Sequence, residues 1–258
     1  MGAAVARRSF TVAAAQMVAR RTMNEAAAAV VGMIHRAARR QARFLVTPEM
    51  FLTGYHGAFD QEVRDCLIEN VIAPACEEAG ITLLLGAGSH LDGRGRRMRK
   101  PYIQTVVISS TGRILGVHNK TVPTGGDLKW CRAGKLRDLR VFRSQGLTFG
   151  ATICNDFWAT PGYTTMPDPD LPVRLAKLGA RVIFQSINSG HGKAYLDFHT
   201  TRMEERAIRA GVWVISAQCV NDPGKPVSAP TGVVGPDGVW RVKAPLRGEQ
   251  LVIARITP

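Results

Sequence analysis

The chain has 258 residues, 45% of them hydrophobic and 21% charged, which excludes collagen-like, disordered and disulfide-scaffold classes and leaves room for a sizeable buried core. No stretch reaches the roughly 18 uninterrupted apolar residues of a membrane helix, since even the Ala-rich start is broken by Gln16 and Arg20-Arg21, so no membrane partner is expected. Its 34 basic and 20 acidic residues give a formal charge of +14, which raises nucleic acid or another anionic partner for the charge distribution to decide.

The segment FTVAAAQM (10–17) reads as a buried strand, followed by an Ala-rich helix capped at Asn24 and running to Ala42, with Val30, Val31, Ile34 and Ala38 on one face. Phe44-Leu45-Val46 is a short strand stopped at Thr47-Pro48-Glu49, because proline bars helical continuation. A helical stretch over 62–79 ends at Gly80 and leads into the buried strand ITLLLGAG (81–88). The dense basic run Arg94, Arg96, Arg97, Arg99 and Lys100 sits beside Gly93 and Gly95 and reads as a loop, either solvated or holding an anion. No aromatic residues interleave to stack bases, so nucleic acid is not expected as a partner.

Residues 102–120 read as a hairpin turning at Ser110-Thr111-Gly112, with Asn119-Lys120 at its end. LTFGATIC (147–154) is a strand ending at Cys154, 169–179 a helix closed by glycine, and RVIFQSIN (181–188) a strand. A helix over 196–211 turns Met203, Ala207 and Ala210 inward and pairs Glu205 with Arg209; a strand over 212–220 and a hairpin through Pro236-Asp237-Gly238 precede the final LVIARI. Strands alternating with helices and interrupted by hairpins imply an α/β fold with a mixed sheet, and no linker divides the chain, so one domain over 1–258 is expected.

Five cysteines form an odd set with no C-x-x-C pair and no zinc-type histidine spacing, so no metal is called for and a reducing cytoplasm is the expected location. Arg7-Arg8-Ser9-Phe10 superficially resembles a twin-arginine export signal but lacks the long apolar core and small-residue cleavage site of one.

In open α/β sheets functional groups gather beyond the carboxyl ends of strands. There the chain places Glu49, Lys120 and Cys154: an acid, an amine and a thiol, the parts of nucleophilic catalysis with proton transfer and charge stabilisation. Each has a plainer reading, as a small core residue for Cys154 and as solvated loop charges for the other two. No G-x-S-x-G, P-loop or H-E-x-x-H is present, and His191 and His199 lack an acid at metal-ligand spacing.

The words around these residues, FLVTPEMFLTGY (44–55), GRILGVHNKTVP (112–123) and LTFGATICNDFW (147–158), resemble in order and spacing the three signature segments of the nitrilase superfamily, the carbon-nitrogen hydrolases. TVAAAQM, LAKLGARVIFQSIN, RMEERAIRAGVWVISA and TGVVGPDGVW extend the resemblance over nearly the whole chain. The resemblance implies a four-layered α-β-β-α sandwich, with Glu49 as general base, Lys120 as cationic stabiliser and Cys154 as nucleophile, and with the backbone N–H of Asn155 helping to hold the oxyanion. It implies no cofactor, and a homo-oligomer, dimer or higher.

The chain departs from the family in places. DLKWCRAG (127–134) stands where the family has E-x-x-Y-F-x-P-G, so Asp127 takes the second glutamate's place or is a turn residue after Gly125-Gly126. Arg209 stands where an acid is common, which leaves the usual dimer details open. Cys154-Asn155-Asp156 is similar to the corresponding phrase of N-carbamoyl-D-amino-acid hydrolases, but Phe157-Trp158 replaces the arginines that clamp a substrate carboxylate there. The two aromatics suit an apolar or planar substrate body, or simply pack the core. Asn188 and the loop 189–192 occupy another strand end and reach the substrate or form a plain mobile loop. The expected substrate is a small linear amide or carbamoyl compound. The alternatives are a nitrile substrate, or a non-catalytic binding protein that uses the basic loop for an anion.

Overall fold

The computed structural model describes residues 8–258 apart from Pro161, Tyr163, Thr165 and the side chain of Ala194; Arg7 of the arginine pair lies outside the described residues. The first strand, β1 (Phe10–Val18), feeds α1 (Met23–Arg39) through a capping box in which Thr22 Oγ1 accepts from the Glu25 N–H and Glu25 returns a carboxylate oxygen to the Thr22 N–H. The cap is therefore Thr22 and not Asn24, because the reciprocal pair needs a glutamate three residues on. The helix also stops short of Ala42, since Gln41 turns into the left-handed region at φ 58°.

After β2 (Phe44–Val46), the expected helix over 62–79 is α2 (Gln61–Leu67), a wider π turn (Ile68–Ile72) and α3 (Ala73–Ala79) in unbroken succession. The wide turn runs into Pro74, whose ring and missing N–H interrupt a regular ladder. Then come β3 (Thr82–Leu91), β4 (Arg97–Ile108) and β5 (Ile114–Asn119). This corrects the basic loop: Arg97, Arg99 and Lys100 belong to β4, which pairs with β3, and only Arg94 and Arg96 sit on the turn between them.

The second half contains β6 (Phe142–Ser144), β7 (Leu147–Ile153), α4 (Asn155–Trp158), α5 (Leu171–Lys177), β8 (Val182–Ile187), α6 (Leu196–Ala210) and β9 (Trp213–Val220). β10 (Gly232–Val234), β11 (Trp240–Lys243) and β12 (Gln250–Ile256) follow. On α6 the expected Glu205–Arg209 pair is replaced by Arg202–Glu205 at 3.0 Å and Arg209–Asp170 at 2.9 Å, because Asp170 stands at the start of the neighbouring α5.

The strands run in the order β5-β4-β3-β2-β1-β9-β8-β7-β6, with β12 antiparallel to β1 and the β10–β11 hairpin on β9. β1 joins the halves, pairing parallel with β2 near its start and with β9 at its end. Its side chains alternate: Phe10, Val12 and Ala14 enter one core, Ala13, Ala15 and Met17 another. The first core lies between the two sheet halves, where Phe44 stacks on Phe184 with centroids 5.8 Å apart and Phe149 meets both edge-on. The other faces are covered by α1 to α3 on one side and α4 to α6 on the other, which makes the four-layered α-β-β-α sandwich. No helix among the described residues is long and apolar enough to cross a membrane.

Candidate active site

Glu49, Lys120, Cys154 and Asn188 each stand just past a strand, β2, β5, β7 and β8, and the sandwich brings these ends together. The Glu49 loop lies directly on β3, where a Cβ at Gly86 would come within 1.8 Å of the Pro48 carbonyl oxygen, so only glycine fits. Lys120 Nζ donates to Glu49 Oε1 at 2.7 Å and to Asp127 Oδ2 at 2.9 Å, and all three side chains are buried. The other Glu49 oxygen accepts the Asn188 N–H at 3.0 Å. Asp127 is held further by the Tyr55 hydroxyl at 2.5 Å and the Thr124 N–H at 2.8 Å, while Thr124 Oγ1 accepts the Asp127 N–H.

Cys154 occupies a sharp strand-to-helix turn at φ 46°, ψ −109°, a left-handed position that costs a side chain other than glycine conformational energy. Two contacts from β8 pin the turn: the Cys154 N–H donates to the Ser186 carbonyl at 2.8 Å and Gln185 Nε2 donates to the Cys154 carbonyl at 2.9 Å. Asp156 ties it to Lys120. One of its oxygens accepts the N–H groups of Thr121 and Val122, both at 2.7 Å, and the other meets His118 Nε2 at 2.7 Å and the Ile153 N–H at 3.1 Å. Sequence reasoning passed over Asp156 as a positioning residue, because its partners His118, Thr121 and Val122 lie 34 to 38 residues away in the chain and no local pattern announces them.

Burial pushes the Glu49 carboxyl up to about 7, with the negative charge of Asp127 adding to the rise and Lys120 opposing it. The Cys154 thiol is raised well above its ordinary value by burial and then by the charge of Glu49. Burial would lower the Lys120 ammonium, but the surrounding anionic groups outweigh it and hold the lysine charged. Asp127 is lowered: burial opposes ionisation, and the Lys120 charge and the Tyr55 hydrogen bond overcome it. The resting site thus holds a protonated thiol beside a carboxylate poised to exchange a proton near neutrality, with a fixed cation between two acids.

Cys154 is 7% exposed and opens on a cavity of about 400 Å³ whose walls include Asn155, Trp158, Asn188 and Asp127. Tyr55, Trp130, Tyr195 and His199 complete its aromatic lining, and no lysine or arginine lines it among the described residues. Among those residues no group of three or more His, Cys, Asp or Glu could hold a metal ion.

The carbon-nitrogen hydrolase family model matches residues 11–258. The chain belongs to this family, within the nitrilase superfamily. Solved structures of the amidase from Nesterenkonia sp. AN1, of the nitrilase superfamily, share its fold. A Cys-to-Ala mutant superposes with a TM-score of 0.79 at 18% identity over 96% of this chain and 90% of that one. A mutant with the acetamide moiety of fluoroacetamide covalently added at its active site cysteine gives 0.82 at 16% identity over 100% and 94%. A complex with butyramide gives 0.80 at 18% identity over 96% and 91%. No curated protein matches the sequence.

In this carbon-nitrogen hydrolase the remaining sequence-derived residues divide. Trp158 lines the cavity, whereas Phe157 is fully buried in the core with Ile183 and Met203 and does not. The Asn155 side chain braces the wall, donating to the Val122 carbonyl at 3.1 Å and accepting the Thr160 N–H at 2.8 Å. Asn188 Oδ1 accepts from Asn221 Nδ2 at 2.6 Å. Arg202 pairs with Glu205, and Arg206 with Asp168 and Asp170, so neither is free to clamp a substrate carboxylate. Arg94 and Arg96 line a separate polar cleft of about 510 Å³ with Arg132, Lys135 and Arg137. Tyr55, Tyr195 and His199 are cavity residues that sequence reasoning did not select; Tyr55 closes the first quoted segment, and that position was its only signal.

Proposed function

We propose that this carbon-nitrogen hydrolase cleaves a small, neutral, linear amide or carbamoyl compound through a thioester at Cys154. The observation that carries the reading is the buried Glu49–Lys120–Asp127 cluster beside a strained cysteine that opens on a cavity with no lysine or arginine in its lining among the described residues. Cys154 Sγ bonds to the carbonyl carbon as Glu49 takes the thiol proton, and the carbonyl electron pair moves to oxygen. Lys120 and the N–H of Asn155, the first residue of α4, hold that charge. Glu49 passes the proton to the leaving nitrogen, the C–N bond breaks, and ammonia or an amine departs. Glu49 then draws a proton from water as it attacks the thioester, and the proton returns to the departing sulfur. Asp127 fixes the Lys120 ammonium. Every group this cycle requires is supplied by the chain, so the reading includes no cofactor. It also includes one domain over 1–258, a homo-oligomer, and a cytoplasmic location suited to five free thiols.

The test uses a Glu49→Gln variant incubated with a mixed set of amides, nitriles and carbamoyl compounds, activated members included. A mass increment is expected on the peptide containing Cys154, and its size identifies the acyl group and separates the amide, carbamoyl and nitrile cases. An adduct confined to Cys66, Cys76, Cys131 or Cys219 overturns the site. No adduct together with salt-sensitive anion binding at the Arg94 cleft favours a binding protein instead.

A further inference from the structure

Among the cavity walls, the one contributed by the first turn of α6 carries a group the mechanism does not use. His199 is 5% exposed, and its Nδ1 lies 2.6 Å from the Ser228 carbonyl oxygen. A carbonyl only accepts, so Nδ1 carries the proton and Nε2 is left with a lone pair. Burial lowers the pKa of the ring and keeps it neutral. Its orientation is over-determined. Trp158 packs against it with centroids 4.3 Å apart, Tyr195 stacks at 6.0 Å and Phe198 meets it edge-on at 5.5 Å. Ser228, whose carbonyl fixes Nδ1, is itself anchored by donating its hydroxyl to the Ser189 carbonyl at 2.6 Å.

Nε2 has no hydrogen-bond partner among the described residues, although His199 lines the cavity. A fixed acceptor at a largely aromatic wall is left unsatisfied by an apolar occupant and satisfied by one that donates. Three of the other hydroxyl groups here do not discriminate in this way. The hydroxyls of Thr124 and Thr160 can donate or accept, and Tyr55 is committed to Asp127.

We propose that His199 Nε2 is a specificity contact, and that the preferred substrate is a neutral amide or carbamoyl compound carrying a hydroxyl or N–H donor on its acyl part, apart from the scissile group. This rests on the hydrolase reading above and names the substrate class within it. The lone pair excludes a carboxylate or ether oxygen at that point, since two acceptors face each other without a proton, and it distinguishes a hydroxyl from a methyl of the same size. A site built to bond a donor rejects the analogue without it far more strongly than a hydrophobic pocket rejects an added hydroxyl.

The experiment compares matched neutral primary amides that end in hydroxyl or in methyl, over a graded series of alkyl chain lengths and with 4-hydroxyphenyl and 4-methylphenyl members. In the unaltered enzyme at least one pair is expected to favour the hydroxyl compound by about tenfold or more in kcat/KM. In His199→Phe, which keeps the ring packing and removes the acceptor, that ratio is expected to fall to about one or below. Equal kcat/KM within every pair overturns the proposal, and so does a preference that survives His199→Phe unchanged. The comparison in the unaltered enzyme needs no variant, so a misfolded His199→Phe does not shield the idea. Turnover without preference removes this inference alone. No turnover of any member, together with no adduct on Cys154, removes the hydrolase reading beneath it.

Discussion

Helices α1 and α6 occupy equivalent outer layers of the sandwich, yet they bury different chemistry. The inner face of α1 is Ala26, Ala27, Val30, Met33, Ile34 and Ala37, whereas α6 buries His199, Met203, Arg206 and Ala207. α1 covers a dry core and needs nothing from the rest of the chain beyond apolar contact. α6 walls the cavity, and its buried polar residues draw partners from elsewhere: Arg206 from Asp168 and Asp170, His199 Nδ1 from the Ser228 carbonyl. A scaffold layer can therefore be made of one kind of residue, while a layer beside a site must bury polar groups and depends on distant segments to satisfy them.

The largest effect should come from removing chemistry and leaving both layers intact. Replacing Cys154 with alanine is expected to lower turnover by about 10⁴-fold or more while thermal unfolding is little changed, and comparable losses for Glu49 and Lys120 should be far from additive. Turnover near that of the parent in Cys154→Ala ends the nucleophile assignment.

Next in size is the positioning acid. Asp127→Asn should lower kcat by roughly 10 to 100-fold, and more than it raises KM, because Lys120 loses a partner for its charge. The pH profile sharpens the case. Glu49 must be ionised to act as base, and its pKa is raised to about 7, so kcat/KM should fall as pH drops through neutrality. Asp127 contributes to that rise, so in Asp127→Asn the acid limb should move to lower pH. Unaltered kinetics and an unmoved limb would make Asp127 a turn residue. Asp127→Glu should be tolerated better than Asn if geometry admits the longer side chain.

A smaller difference concerns the cavity on the α6 side. With no lysine or arginine in its lining among the described residues, neutral amides or carbamoyl compounds should exceed N-carbamoyl amino acids of similar size by about tenfold in kcat/KM, and a preference for the carboxylates would point to an unrecognised clamp.

The last two comparisons set the helices against each other through stability. Arg206→Met should cost about 2 kcal/mol, read by urea unfolding, because two partly exposed carboxylates lose their partner. Ile34→Val on α1 should cost only about 1 kcal/mol and leave kcat/KM unchanged. A change in activity from Ile34→Val would show that the scaffold layer is coupled to the site.

The contrast between the helices also explains what could be read without coordinates. The apolar face of α1, the strand β1 and the positions of Glu49, Lys120 and Cys154 follow from local rules: helical and strand periodicity, proline and glycine punctuation, and the placement of polar residues at strand ends. Two of the errors fall where the packing of a neighbouring element decides. Glu205 takes Arg202, and Arg209 takes Asp170, because α5 packs beside α6. Arg97, Arg99 and Lys100 join β4 because β3 offers a pairing edge, which a glycine-flanked basic run does not reveal.

The sequence by itself determined the alternation of elements, the residue types delivered at the strand ends and, through three separated segments, the family. It did so because hydrophobic period and backbone punctuation act over a few residues. Only the tertiary structure decided that Asp127 lies 2.9 Å from Lys120, that Asp156 joins two loops, that Trp158 faces the cavity while Phe157 does not, and that His199 lines it with Nδ1 held by the Ser228 carbonyl. Those facts depend on which strand ends the folded-over sheet brings together, and hydrogen bonds and burial across dozens of residues leave no periodic trace in the chain.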